Sequence, residues 1–159
     1  MTKDDLITKQ QLEIEELKAD KAQIKELVDD ALAKGATAVT GGARSTVGEL
    51  FYEPTLLIDM DPKMRMYREE VFGPVAPIYT FSTEEEAIQM ANDTNYGLAA
   101  YLFSENIGRT WRVAEAFEAG SVGINTTDVV SELLPFGGWK ESGLGRENSV
   151  IGSLDAYLE

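Results

Sequence analysis

Two short stretches and one asparagine hold most of the side chains in this 159-residue chain that could do chemistry. The first stretch is Glu69-Glu70-Val71-Phe72-Gly73-Pro74-Val75. The second is Pro135-Phe136-Gly137-Gly138-Trp139-Lys140-Glu141-Ser142-Gly143-Leu144-Gly145-Arg146, and the asparagine is Asn125, closing Gly123-Ile124-Asn125. The chain has no cysteine and no histidine. Thiol nucleophiles, thiolate metal sites and disulfides are therefore excluded, as is the commonest general base near neutral pH. Carboxylate, lysine, tyrosine and hydroxyl groups remain, which is a narrow repertoire.

Glu69 and Glu70 do not read as an acid/base pair, because adjacent residues in an extended segment point to opposite sides. A pair of solvated glutamates is the alternative reading of the same dipeptide. In the second stretch four glycines fall within nine residues. Glycine at that density marks backbone at positive φ, or backbone passing close to a ligand or another strand. Phe136 and Trp139 make the run partly apolar, so it is a packed loop rather than a flexible Gly/Ser linker. Phe136 has a competing reading as a core aromatic, and Asn125 has one as a strand-ending turn former. Lys140, Glu141 and Arg146 read as loop charges tying the turn to its neighbours. Gly143-Leu144-Gly145-Arg146-Glu147-Asn148 begins like a dinucleotide fingerprint but lacks the third glycine and a preceding strand, so it is rejected. Nor do the carboxylates show a convergent spacing suited to a metal-dependent hydrolase.

These residues must be positioned by the surrounding elements. Thr8 with Gln11, and then Asp20, signal helix starts. Ile24, Leu27, Val28, Ala31 and Leu32 recur on one helical face, and Gly35 supplies a stop. Lys25, Glu26, Asp29 and Asp30 form the outward, solvated side. Ala36–Thr40 reads as a strand closed by a Gly41-Gly42 turn, residues 43–49 as an exposed turn region, and Leu50–Ile58 as an edge or irregular strand because of Pro54. A loop or short helical turn carries Met64, Met66 and Tyr67. The Gly73-Pro74 break leads into a strand over Val75–Phe81. Ser82 or Thr83 starts a helix with Ala87, Ile88 and Ala91 inward, ending near Asn95-Tyr96-Gly97. Leu98–Phe103 is a strand, a helix places Ile107, Trp111, Ala114 and Phe117 inward up to Gly120, and Ser121–Asn125 is a strand. Strand, helix, strand, helix, strand in this order predicts an α/β fold with a mainly parallel sheet and flanking helices. No linker clean enough to divide the chain is visible.

The length suits a single domain able to bury a core. With 43% hydrophobic and 26% charged residues the chain has globular composition. A net charge of −14 argues against a nucleic-acid partner. No apolar run has the length of a membrane span and the start lacks a secretory core segment, so no membrane partner and a cytoplasmic location are expected.

In order and spacing, Glu69–Val75, Gly123–Asn125 and the glycine-rich loop resemble the closing part of the catalytic domain of NAD(P)-dependent aldehyde dehydrogenases. The chain looks most like the succinate-semialdehyde dehydrogenase branch. The resemblance implies a single partial catalytic domain over 1–159, with 24–159 matching and 1–23 a helical lead-in. It places Glu70 on the ribose hydroxyls beside the nicotinamide, with Phe72 packing at the same end. An ionised carboxylate is acceptor-only and suits a vicinal diol, while a flat apolar ring orients the cofactor. It puts Phe136 in the wall of the aldehyde pocket, where an apolar group excludes water, and Asn125 close by. A hydroxyl residue helps hold the substrate carboxylate in that branch; Ser131 lies near its place, although Val130 occupies the aligned position. The family's nucleophilic cysteine, water-activating glutamate and cofactor domain would all precede Met1. No catalytic residue and no metal ligand is therefore expected in this chain. The full-length family uses NAD or NADP, and this chain alone is expected to bind neither. Self-association, or pairing with a complementing N-terminal fragment, is the expected mode of partnership.

Overall fold

The computed structural model describes residues 22–48 and 50–147. The capping signals at Thr8 and Asp20, nearly all of the 1–23 lead-in, and the last residues of the 24–159 match lie outside them. The chain divides into two compact units, Met1–Thr80 and Phe81–Glu159.

The first unit opens with a helix over residues 22–33 (α1). Ile24, Leu27, Val28 and Ala31 are buried on the predicted face, while Leu32, at 37% exposure, lies at its margin. Gly35 ends the helix at φ +105°, a conformation that favours glycine. The Ala36 N–H then donates to the Ala31 carbonyl at 3.0 Å. Strand β1 (Thr37–Thr40) pairs antiparallel with β2 (Thr55–Ile58), and β2 pairs parallel with β3 (Val75–Pro77). β2 is thus the central strand and not an edge, although its pairing with β1 is irregular between Ala38 and Thr40, the other outcome that Pro54 suggested. Pro54 precedes the strand, so its missing N–H removes no rung. Thr55 and Leu57 alternate inward, as a strand with one buried face requires. Residues 43–48 are mostly exposed bends, as expected, with Arg44 bridging antiparallel to Tyr52. β3 stops well short of Phe81. Pro77 has no N–H, although the Ile78 N–H still reaches the Leu57 carbonyl at 2.9 Å. Met64 and Met66, around the short 3-10 turn Arg65–Tyr67, complete a core with Ile24, Leu27, Val28, Ala31, Ala36, Tyr52 and Leu57.

The second unit is built differently. Helix α2 (Glu84–Asn92) starts at Thr83, whose hydroxyl accepts the Glu86 N–H at 3.1 Å; the Glu86 carboxylate reaches back to the Ser82 N–H at 2.7 Å. α2 ends at Asp93, before the expected stop, and none of its residues is fully buried. Ala87 and Ile88 are half-buried as expected, but Ala91 is exposed and Met90 takes the inner position. Strand β4 (Tyr96–Gly97) pairs antiparallel with β7 (Trp139–Lys140). Strand β5 (Ala99–Leu102) runs through α3 (Ile107–Ala116) to β6 (Ser121–Ile124), its parallel neighbour. This is the βαβ unit that the element order predicted. Asn106 caps α3, its side-chain oxygen accepting the Arg109 N–H at 2.9 Å. The parallel pairs therefore lie in separate sheets, the first with α1 and the second with α3 packed on it, an α/β arrangement. Among the described residues no helix is long and apolar enough to cross a membrane.

Candidate functional site

In the first unit the two adjacent glutamates have opposite fates. Arg65 lies four residues before Glu69 and grips its carboxylate with two bonds, Nε to Oε1 at 2.7 Å and Nη2 to Oε2 at 2.8 Å. This hydrogen-bonded fork holds the Glu69 carboxyl below its ordinary range. Glu69 raises the Arg65 guanidinium in return. The Arg65 backbone N–H donates to Asp30 of α1 at 2.9 Å, so the turn carrying the fork is fastened to the helix. Asp30 is therefore not merely part of a solvated face. That bond, followed by Lys34, draws its carboxyl below the usual value.

Glu70 points away from this network. It is exposed and has no hydrogen-bond or ion-pair partner among the described residues. Two residues on, Phe72 is 83% exposed, an uncommon position for a large aromatic ring. The Gly73 N–H turns back to the Val71 carbonyl at 3.0 Å, and Val75 then enters β3. A free acceptor-only carboxylate beside an open aromatic face fits the ribose end of a nicotinamide nucleotide.

In the second unit the glycine-rich loop is pinned at several points. Phe136 and Glu147 exchange backbone hydrogen bonds at 2.7 Å each, leaving the Phe136 side chain half-buried. The Lys140 amine donates to the carbonyls of Asn92 at 2.7 Å and Thr94 at 3.0 Å, and pairs with Glu118 at 2.5 Å. Arg146 donates to the Gly138 carbonyl at 2.9 Å. Lys140 and Arg146 thus tie the turn as expected, whereas Glu141 does so only through its backbone N–H, to the Asn95 carbonyl. A Cβ on Gly120 would overlap the Gly137 carbonyl oxygen, so the glycine density here serves backbone approaching backbone.

Asn125 sits at φ +53° at the end of β6. Its amide accepts the Ser104 N–H at 2.8 Å and donates to the Ser104 carbonyl at 3.0 Å. Ser131 is half-buried, its hydroxyl accepting the Leu133 N–H at 3.2 Å, while Val130 is exposed. No hydrogen bond joins Phe136, Asn125 and Ser131 among the described residues; each is held by a different segment. Sequence reasoning missed Arg65, whose i,i+4 spacing to Glu69 was the available signal. It also missed Asn92, whose amide bonds the Ala116 carbonyl at 2.7 Å and the Glu118 N–H at 2.9 Å. No group of three or more Asp or Glu residues suited to a metal occurs among the described residues.

Residues 16–159 match the aldehyde dehydrogenase family. The chain is 53% identical over 137 residues to the mitochondrial succinate-semialdehyde dehydrogenase of Oryza sativa subsp. japonica, covering 86% of this chain and 26% of that relative. Among solved structures it resembles succinate-semialdehyde dehydrogenase from Burkholderia pseudomallei, with a TM-score of 0.84 and 52% identity, over 87% of this chain and 29% of that one. Betaine aldehyde dehydrogenase from Staphylococcus aureus in complex with NAD+ superposes with a TM-score of 0.80 at 43% identity, over 87% and 28%. The chain thus spans about a quarter of the length of the curated relative it matches. With three motifs, their spacing and the surrounding fold in agreement, the chain belongs to the aldehyde dehydrogenase family.

Proposed function

We propose that this chain supplies one segment of an NAD(P)-dependent aldehyde dehydrogenase that oxidises aldehydes to carboxylic acids, with succinate semialdehyde as substrate. The observation that carries this reading is the division of labour at Glu69-Glu70: Arg65 occupies the first carboxylate, and the second is left free beside an exposed Phe72. Glu70 accepts hydrogen bonds from the ribose hydroxyls and Phe72 packs at the nicotinamide end. Phe136 forms an apolar wall of the aldehyde pocket, with Asn125 and Ser131 around it. Asn125 acts there by holding the Ser104 backbone, since both ends of its amide are already engaged. When bound, NAD(P) supplies a hydride acceptor.

By itself the chain is inactive and binds no nucleotide. Carbonyl capture in this chemistry needs a thiolate, and none of the 159 residues is cysteine. The test exchanges residues 24–159 of this chain for the matching quarter of a bacterial succinate-semialdehyde dehydrogenase. The chimaera should oxidise succinate semialdehyde, and Glu70→Ala should raise its KM for NAD or NADP about tenfold, the loss of a charge-assisted hydrogen bond. An unchanged KM would remove Glu70 from the cofactor site. Turnover by the unfused chain, free of host dehydrogenases, would overturn the claim that it is silent alone.

A further inference from the structure

Arg65 joins helix α1 to the stretch that carries Glu70, through its backbone and its side chain together. On one side its guanidinium forks onto Glu69, and its carbonyl accepts the Glu69 N–H at 2.9 Å. On the other, its N–H donates to Asp30 at 2.9 Å and Nη1 lies 3.8 Å from Glu26, both residues of α1. Lys34 reinforces that tie, pairing with Asp30 at 2.8 Å and donating to the Lys63 carbonyl at 2.9 Å. The stretch beyond is held at alternate positions. Val71 packs against the core of the first unit, and Gly73 lies so close to Ile24 of α1 that a Cβ there would overlap its side chain. Glu69, Val71 and Gly73 are thus the anchored residues, while Glu70 and Phe72 between them are exposed. Neighbouring side chains in extended backbone take opposite sides, so fixing one residue fixes the side its neighbour presents.

Stability is not what the fork chiefly supplies. Arg65 is 40% and Glu69 39% exposed, and ion pairs so open to solvent contribute little. A bidentate pair does define geometry, because the planar guanidinium fixes both carboxylate oxygens at once. Here it makes two adjacent glutamates unequal, one engaged and one open. We infer that Arg65 is a positioning residue for the nucleotide: by fastening Glu69 toward α1 it leaves the Glu70 carboxylate alone to meet the ribose hydroxyls. This rests on the reading that Glu70 holds the ribose, and it adds a residue that acts only through its neighbour.

The experiment uses the chimaera that carries residues 24–159 and measures KM and kcat, with the calorimetric Kd for NAD reporting the same series where turnover is absent. Arg65→Met should raise KM for NAD or NADP about fivefold, the loss of one exposed ion pair, with kcat unchanged. Glu69→Gln, which loosens the fork from its other end, should do likewise. Lys25→Met opens a different exposed pair on α1 and should leave KM as it was. Arg65→Lys keeps the charge without the fork, so KM should rise there too. A lysine that preserves KM in full would show that charge near an anionic nucleotide is at work, and overturns the inference. In a Glu70→Ala background Arg65→Met should add nothing, because the two act as one unit. A further fivefold rise in that background overturns the inference as well. The two readings fail separately. If Glu70→Ala raises KM and Arg65→Met does not, this inference falls and the ribose reading stands. If Glu70→Ala leaves KM unmoved, both fall.

Discussion

Residues 22–80 and residues 81–147 have similar lengths and similar mixes of helix and strand, yet only the first closes around a core. In the first, nine buried residues share one cluster: seven from α1, β2 and the methionine-bearing turn, with Ala36 and Tyr52, and with Leu27 and Leu57 at zero exposure. In the second, Leu102 is the one large apolar side chain buried among the described residues, while Phe103, Ile107, Trp111 and Leu133 are largely exposed. Backbone hydrogen bonds and ion pairs do much of the holding there. Lys140 joins Asn92, Thr94 and Glu118, and Glu84 joins Arg109 and Arg112. An apolar cluster stabilises through burial and is not weakened by the screening of charges. Exposed ion pairs contribute little each and are screened. The contrast teaches that local secondary structure can be fully specified where the packing that would stabilise it is not supplied locally.

Three perturbations would sharpen or break this contrast. Leu57→Ala should have the largest effect, costing about 3 kcal/mol through lost burial and a residual cavity. Denaturant unfolding should show the loss, with amide protection falling in α1 and β2. Lys140→Met comes next. It strips a cation from two carbonyls and a carboxylate, at a cost of about 2 kcal/mol, and should raise amide exchange at Gly97 and Glu141 while leaving α1 unchanged. A loss of protection in α1 would show that the first unit is not self-sufficient.

The smallest effect is electrostatic. Hydrogen bonds from Arg112, and then Arg109, hold the Glu84 carboxyl below its ordinary range. A depressed folded value means that the stabilisation is present above the unfolded carboxylate range, about pH 4. It is lost as pH falls through the folded value. Glu84→Gln should remove this acid sensitivity from the exchange of α2 amides. Glu69 and Asp30 shift the same way, so the first unit should keep its own acid response in that variant.

Much of the fold could be read from local signals. The α1 stripe, Gly35, the Thr83 cap and the βαβ order all concern neighbours in sequence, and the structure places them as expected. The readings that failed depend on distant partners. Nothing in Ile107–Phe117 reveals which flank of a wide apolar arc a sheet will take, so Ile107 and Trp111 were expected inward and lie outward. Pro54 suggested an edge strand because its position just ahead of β2, and not within it, is fixed by register. At the candidate site, Glu70 and Phe72 stood out through the resemblance of Glu69–Val75 to the family's motif; by themselves the two glutamates read as solvated. The freedom of the Glu70 carboxylate became visible only once Arg65 was seen to occupy Glu69. Asn125 had a competing reading as a strand-ending residue, and its φ of +53° and its two bonds to Ser104 accord with that role. The division of the chain after Thr80 leaves no mark in composition, since no glycine- or proline-rich linker lies there.

Hydrogen exchange of the intact chain, followed residue by residue, tests the central contrast most directly. The amides of α1 and β2 should exchange at least a hundredfold more slowly than those of β5 and β6, because only the former are shielded by a closed core. Equal protection in the two regions would show that the second unit is stabilised within this chain, and would contradict the account.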